Sequence, residues 1–132
     1  MRRTRSFPES PSSVPGAREF VAQCLTALVP EVCETATLLA SELASNAIVH
    51  ATSAFTVTVI YPTPAGRVRI EVVDDNPAHP RPLRPPPTAP RGRGLLLVDS
   101  LSDEWGVQEC GTSDGKTIWF ELTPAVAASA GR

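Results

Sequence analysis

The chain has 132 residues, enough for one domain with a buried core, and its hydrophobic (42%) and charged (20%) fractions are ordinary for a globular protein. Its net charge of −2 excludes a broad basic surface for nucleic acid or membrane, and no apolar run is long enough to span a membrane. The odd cysteine count (Cys24, Cys33 and Cys110) has no metal-site spacing, which predicts free thiols in a reducing, cytoplasmic compartment.

The first third of the chain predicts two helices. Residues 1–12 are expected to form an N-terminal tail, either frayed or paired as a short edge strand around Thr4–Phe7. A helix capped by Ser12 or Ser13 follows, because apolar residues recur at helical spacing to about Val29. A second helix is predicted from about 31 to 50, after the proline that separates the two.

The middle of the chain predicts a hairpin followed by a long loop. Apolar and polar residues alternate over 55–60 and again over 67–73, which is typical of strands with one buried face. The segment 77–90 contains seven of the fourteen prolines, so no helix or central strand can run through it. A loop of this length in a small domain often closes over a binding site.

The last part predicts a short apolar helix over 95–101 and two strands, one from Glu104 and one over 116–122. Helices segregated from two hairpin-connected strand pairs predict an α+β fold. We expect a two-layer α/β sandwich with a mixed, mostly antiparallel sheet and helices on one face. Its domain spans 13–123, and 124–132 is predicted to be a disordered tail.

One stretch of the second helix, LLASELASNAIVH, combines polar side chains with an apolar face. Glu42, Asn46 and His50 recur at i, i+4 and i+8, so they share one side of the helix. A carboxylate there can take a proton from, or orient, a water or hydroxyl, and an amide oxygen suits Mg²⁺. The alternative that these are a surface glutamate and a helix-internal asparagine without a task stays open.

Two further places carry candidate binding groups. Asp74 ends the second strand, where its carboxylate can accept a hydrogen bond from an exocyclic amine such as that of adenine, or simply serve a turn. Gly92 and Gly94 precede a helix and let the backbone approach a phosphate, with Arg91 and Arg93 adding positive charge. The alternative is a flexible exit from the proline-rich loop.

The order of these motifs resembles the ATP-binding domain that DNA gyrase, histidine kinases and MutL share, the GHKL or Bergerat fold. The resemblance extends over about residues 13–122 and is strongest for RsbW-type anti-sigma factor/serine-protein kinases. It is carried by Glu42-x-x-x-Asn46 within SELASNAIVHA, Asp74 at a strand end, Gly92-x-Gly94-Leu95 within GRGLLLVDSLSDEWG, and Gly115-Lys116-Thr117 within GKTIWFEL.

The resemblance implies a role for each matching residue. Asn46 would hold Mg²⁺ between the phosphates of ATP, and Glu42 would act as, or help to position, the general base. Asp74 would bind the adenine amino group, with Thr117 near the adenine end. The phosphate loop would comprise Arg91, Gly92, Arg93, Gly94 and Leu95.

The resemblance also implies an ATP-binding anti-sigma factor and protein serine/threonine kinase that regulates transcription by partner switching. Its partners would be a sigma factor and a STAS-type anti-sigma-antagonist protein, without direct contact to nucleic acid or membrane, and a homodimer is expected by analogy. The family's Asp-x-Gly-x-Gly box here reads Asp74-Asp75-Asn76-Pro77-Ala78, without glycine. That departure favours an alternative, a nucleotide-binding regulatory module without kinase activity; a plain α+β interaction domain is a third hypothesis.

Overall fold

The computed structural model describes residues 1–49, 52–74, 92–109 and 115–124, without the side chains of 92–94 and Glu109. The predictions for His50, the proline-rich loop, Arg91 and the tail from 125 lie outside the described residues. The elements are β1 (Arg2–Phe7), α1 (Ser13–Cys24), α2 (Pro30–Val49), β2 (Phe55–Ile60), β3 (Val68–Asp74), α3 (Gly92–Leu101), β4 (Glu104–Glu109) and β5 (Lys116–Leu122).

The five described strands form one sheet in the order β1-β2-β3-β5-β4, and each described pairing is antiparallel. Residues 2–7 therefore take the edge-strand alternative. The β2–β3 hairpin turns through Gly66, whose φ of 83° favours glycine. In the described part of the chain, no helix is long and apolar enough to cross a membrane.

The helices pack on one face of the sheet, as predicted. The alternating apolar residues of β2, β3 and β5 point to this face because successive strand side chains alternate in direction. Leu39, Leu43 and Ala47 of α2 are buried, and Ile48 packs against the core from its edge. The fully buried larger side chains are Phe55, Phe120, Leu25, Leu39, Leu43, Ile70, Val21, Val57, Val59, Val68 and Val98.

The first helix differs from its prediction at both ends. Ser12 occupies the N-cap position without a side-chain capping hydrogen bond, and the Ser13 hydroxyl instead donates to the Pro8 carbonyl at 2.7 Å. The helix ends at Cys24, earlier than the apolar spacing predicts. The Leu25 and Leu28 N–H groups donate to the Ala22 and Leu25 carbonyls, so the chain turns between Cys24 and the proline that opens α2.

The other face of the sheet carries polar and charged side chains. Hydroxyl pairs link β1 to β2, with Thr4 and Thr58 oxygens 3.0 Å apart. Further along, Arg69 lies over the Trp119 ring, 4.1 Å from its centroid. We call the cluster of Arg67, Arg69, Glu71, Glu104 and Glu121 the outer charge network, because these side chains pair with one another across β3, β4 and β5.

Candidate active site

The end of β3, the start of β5 and the end of α2 meet at one end of the sheet. The end of β3 and the start of β5 are neighbours, because Val73 pairs with Thr117. The end of α2 lies there too, since the Ser53 N–H, just before β2, donates to the Ala47 carbonyl at 3.0 Å, and Phe55 pairs with Asp74. This end of the sheet is the candidate site.

The start of α3 points to the same end. The helix leads into β4, whose first residue, Glu104, pairs with Glu121 at the far end of β5. Because Leu95 and Val98 pack along the core, the ten residues of the helix, about 15 Å, run back from that far end toward the candidate site. Gly92 and Gly94 form its first turn, where free backbone N–H groups and the helix dipole favour a phosphate. Leu95 packs against the core and so anchors this turn.

Glu42 and Asn46 lie on α2, one turn apart and both half-buried. Leu43 follows Glu42, and Ala47 follows Asn46. Both are buried, and they fix the rotation of the helix against the sheet. Among the described residues, neither polar side chain has a hydrogen-bond partner. Both side chains lie on the side of α2 that borders the core.

Asp74 is the buried acid of the site. Its side chain is 6% exposed, and its Oδ2 accepts a hydrogen bond from the Lys116 Nζ at 3.1 Å. The two residues lie one position beyond the Val73–Thr117 pair, so they face each other across β3 and β5 on the helix-covered side. A buried carboxylate requires such a partner, because its desolvation is costly without one.

The turn before β5 packs directly on Asp74. A Cβ at Gly115 would lie 2.0 Å from the Asp74 carbonyl oxygen and 2.8 Å from its Oδ1. The φ of Gly115 is 93°, a conformation that residues with side chains rarely adopt. Glycine is therefore required here for two reasons, and it sets how closely β5 can approach the carboxylate.

The structure distributes the predicted residues unevenly. It brings Asn46, Asp74 and the first turn of α3 to one end, with Glu42 one helical turn further back. Thr117 reaches the same end, but it lies on the outer face, since strand side chains alternate and its neighbour Ile118 is buried in the core.

Lys116, rather than Thr117, contacts Asp74, and the sequence prediction gave this lysine no role. The alternation of side chains along a strand predicts the direction of Lys116, because it is two residues before the apolar Ile118 and so shares its face. A lysine on the core side of a strand end needs an acid partner.

The donor set fits a nucleotide with a metal ion. In the described residues no group of three or more His, Cys, Asp or Glu side chains could hold a metal by itself. A lone amide such as that of Asn46 suits Mg²⁺, which is usually held by one or two protein ligands together with substrate phosphates. The buried Asp74 oxygens suit an amine donor, and the α3 start suits phosphate.

Comparisons with known proteins agree with this geometry. The chain is similar in structure to the RsbU and RsbW domains of a Mycobacterium tuberculosis protein, with a TM-score of 0.70 and 15% sequence identity. That match covers 94% of this chain and 32% of the mycobacterial chain, so this chain spans about a third of its length. No curated protein matches by sequence. The family model of the histidine kinase-like ATPase domain matches residues 7–122, and the chain therefore belongs to this family of GHKL-type nucleotide-binding domains.

Proposed function

We propose that this protein binds ATP with Mg²⁺ and is an RsbW-type anti-sigma factor and protein serine/threonine kinase. The observation that carries the proposal is the convergence of Asn46, Asp74 and the start of α3 at one end of the sheet. An amide, a buried carboxylate and a helix N-terminus match the three chemically different parts of a magnesium nucleotide. Membership of the ATPase family supports the same assignment.

Each residue has a distinct task in this proposal. The Asp74 carboxylate accepts a hydrogen bond from the adenine amine, and the first turn of α3 donates backbone N–H groups to the phosphates. The Asn46 amide oxygen would hold Mg²⁺, and bound MgATP supplies the phosphoryl group. The Glu42 carboxylate takes the proton of the attacking hydroxyl, or orients that hydroxyl, as phosphoryl transfer mostly requires positioning.

The hydroxyl belongs, in this proposal, to a serine or threonine of a STAS-type anti-sigma-antagonist protein. Phosphorylation adds negative charge to that partner and so changes which protein it binds. A sigma factor would be the competing partner, which makes transcription depend on the nucleotide site. The mycobacterial structure supports a regulatory setting, since it contains an RsbU domain together with its RsbW domain.

Calorimetric titration of ATP, with and without Mg²⁺, tests the nucleotide site. We expect the wild type to bind MgATP and Asn46→Ala to weaken binding by about tenfold or more, because one metal ligand is lost. Gln23→Ala is the matched control: it removes an exposed amide from α1, away from the site. Equal binding by Asn46→Ala and the wild type would exclude Asn46 as a ligand, and no binding by the wild type would exclude the proposal.

The absence of glycine from Asp74-Asp75-Asn76-Pro77-Ala78 favours a second candidate, a nucleotide-binding module without kinase activity. The two candidates differ in one product. Incubation with γ-labelled ATP and STAS-type proteins of the source genome should give phosphoserine or phosphothreonine on a partner if the chain is a kinase. ATP-dependent partner binding without label would select the second candidate.

A further inference from the structure

Lys116, the single lysine of the chain, reaches into the proposed nucleotide site. Its Nζ lies 3.1 Å from Asp74 Oδ2. Among the described residues, this carboxylate is the one hydrogen-bond partner of the ammonium. The side chain of Lys116 is 28% exposed, against 6% for Asp74, so a ligand that approaches the carboxylate meets the ammonium beside it.

The ion pair leaves donor capacity unused. An ammonium has three protons, of which the bond to Asp74 takes one. The ammonium therefore keeps donor capacity beside the Asp74 carboxylate. The cross-strand register holds them together, because both residues continue the β3–β5 ladder beyond Val73 and Thr117.

The edge of a 6-aminopurine has the complementary pattern. Its exocyclic amine is a donor, and the adjacent ring nitrogen N1 is an acceptor. We infer that Lys116 is a second base-binding residue, whose ammonium donates to N1 while Asp74 accepts from the amine. This inference rests on the proposed function, since it requires that the base of ATP binds at Asp74.

Two other roles for Lys116 make different predictions. If the lysine only compensates the buried charge of Asp74, its loss weakens all purine nucleotides alike. If it blocks the carboxylate, its loss strengthens ATP binding. GTP does not separate these roles, because guanine carries an acceptor and a donor at the corresponding atoms in the opposite order. Analogues that remove a single adenine group do separate them.

The experiment measures the Kd of three magnesium triphosphates: ATP, 1-deaza-ATP without N1, and purine riboside triphosphate without the amine. We expect the wild type to bind 1-deaza-ATP about tenfold or more weakly than ATP, because a hydrogen bond to a charged donor is lost. Lys116→Met should bind ATP and 1-deaza-ATP alike, yet still discriminate against the analogue without the amine. Arg18→Met, which removes an exposed cation from α1, should keep the wild-type pattern.

The outcomes are distinguishable. No ATP binding by the wild type overturns the proposed function and this inference together. ATP binding with equal affinity for 1-deaza-ATP overturns the inference alone and needs no variant, so it stands even if Lys116→Met is poorly folded. An N1 preference that persists in folded Lys116→Met assigns N1 to another group, and tighter ATP binding by that variant makes the lysine a blocking residue; both overturn the inference.

Discussion

Charged side chains pair at two places on the sheet, and the two groups differ in the number of acidic partners that each cation has. In the outer charge network, Arg69 contacts Glu71 at 2.7 Å and Glu121 at 3.0 Å and also stacks on Trp119. On the helix-covered side, Lys116 pairs with Asp74 at the end of two strands. The first arrangement uses several partners per cation, whereas the second keeps donor capacity beside a buried acid.

The difference separates arginines that join three strands from a lysine with one acidic partner among the described residues. Partial burial lowers the pKa of Arg69, but hydrogen bonds and charges from Glu71 and Glu121 outweigh this and raise it above its ordinary value. Hydrogen bonding to Glu121 is the main factor that raises the pKa of Arg67. These arginines stay charged at any physiological pH, and their contacts connect β3 to β4 and β5. The Lys116–Asp74 pair lies at the end of β3 and β5, on the helix-covered side of the sheet.

The largest effect is expected on the rate of phosphoryl transfer when Glu42 is replaced. Glu42→Ala should lower phosphoryl transfer by about 10²–10⁴-fold, because the group that takes or orients the hydroxyl proton is lost. Glu34→Ala removes an exposed acid from the same helix and should leave transfer unchanged. Label incorporation into a STAS-type partner measures both. Transfer by Glu42→Ala at the wild-type rate would remove Glu42 from this role.

A stability comparison tests how tightly the site end is packed. Gly115→Ala should lower the free energy of unfolding by about 3 kcal/mol or more, since a positive φ and a clash with the Asp74 backbone act together. Gly66→Ala is the matched control, because its φ is also positive but nothing lies within 4 Å of the added Cβ. We expect Gly66→Ala to lower the free energy of unfolding by about 1–2 kcal/mol. Urea unfolding measures both, and equal losses would contradict close packing on Asp74.

The sequence predicts most of the fold, because the spacing of apolar residues shows which face of a helix or strand is buried. Leu39, Leu43 and Ala47 recur at helical spacing and are buried, and the alternation in KTIWFEL gives the buried face of β5. Strand neighbours are harder to predict, since β5 inserts between β3 and β4, the two strands that precede it in the chain. Lys116 could be placed against Asp74 only through that register, because the two residues are 42 positions apart.

The outer charge network should contribute less than the packing on Asp74. Arg69→Met should lower the free energy of unfolding by about 1 kcal/mol, through lost ion pairs and lost stacking on Trp119. Salt screens ion pairs more than stacking, so the loss should shrink between about 0.1 M and about 1 M salt. Arg18→Met, an exposed cation outside the network, is the control for net charge. A loss independent of salt would assign the stabilisation to stacking on Trp119 and packing of the arginine stem, not to the ion pairs.

The smallest effect is expected for the neighbour of Lys116 on the opposite face. Thr117→Val keeps the shape of the side chain and removes its hydroxyl, and strand alternation places that hydroxyl on the outer face, away from Asp74. We therefore expect the Kd for MgATP to change by less than about threefold, against about tenfold or more for Lys116→Met. Calorimetry on the two variants compares adjacent residues on opposite faces of one strand. A larger loss for Thr117→Val would mean that β5 turns its other face to the base when ATP binds, and would move the base contact from Lys116 to the threonine that the family resemblance favours.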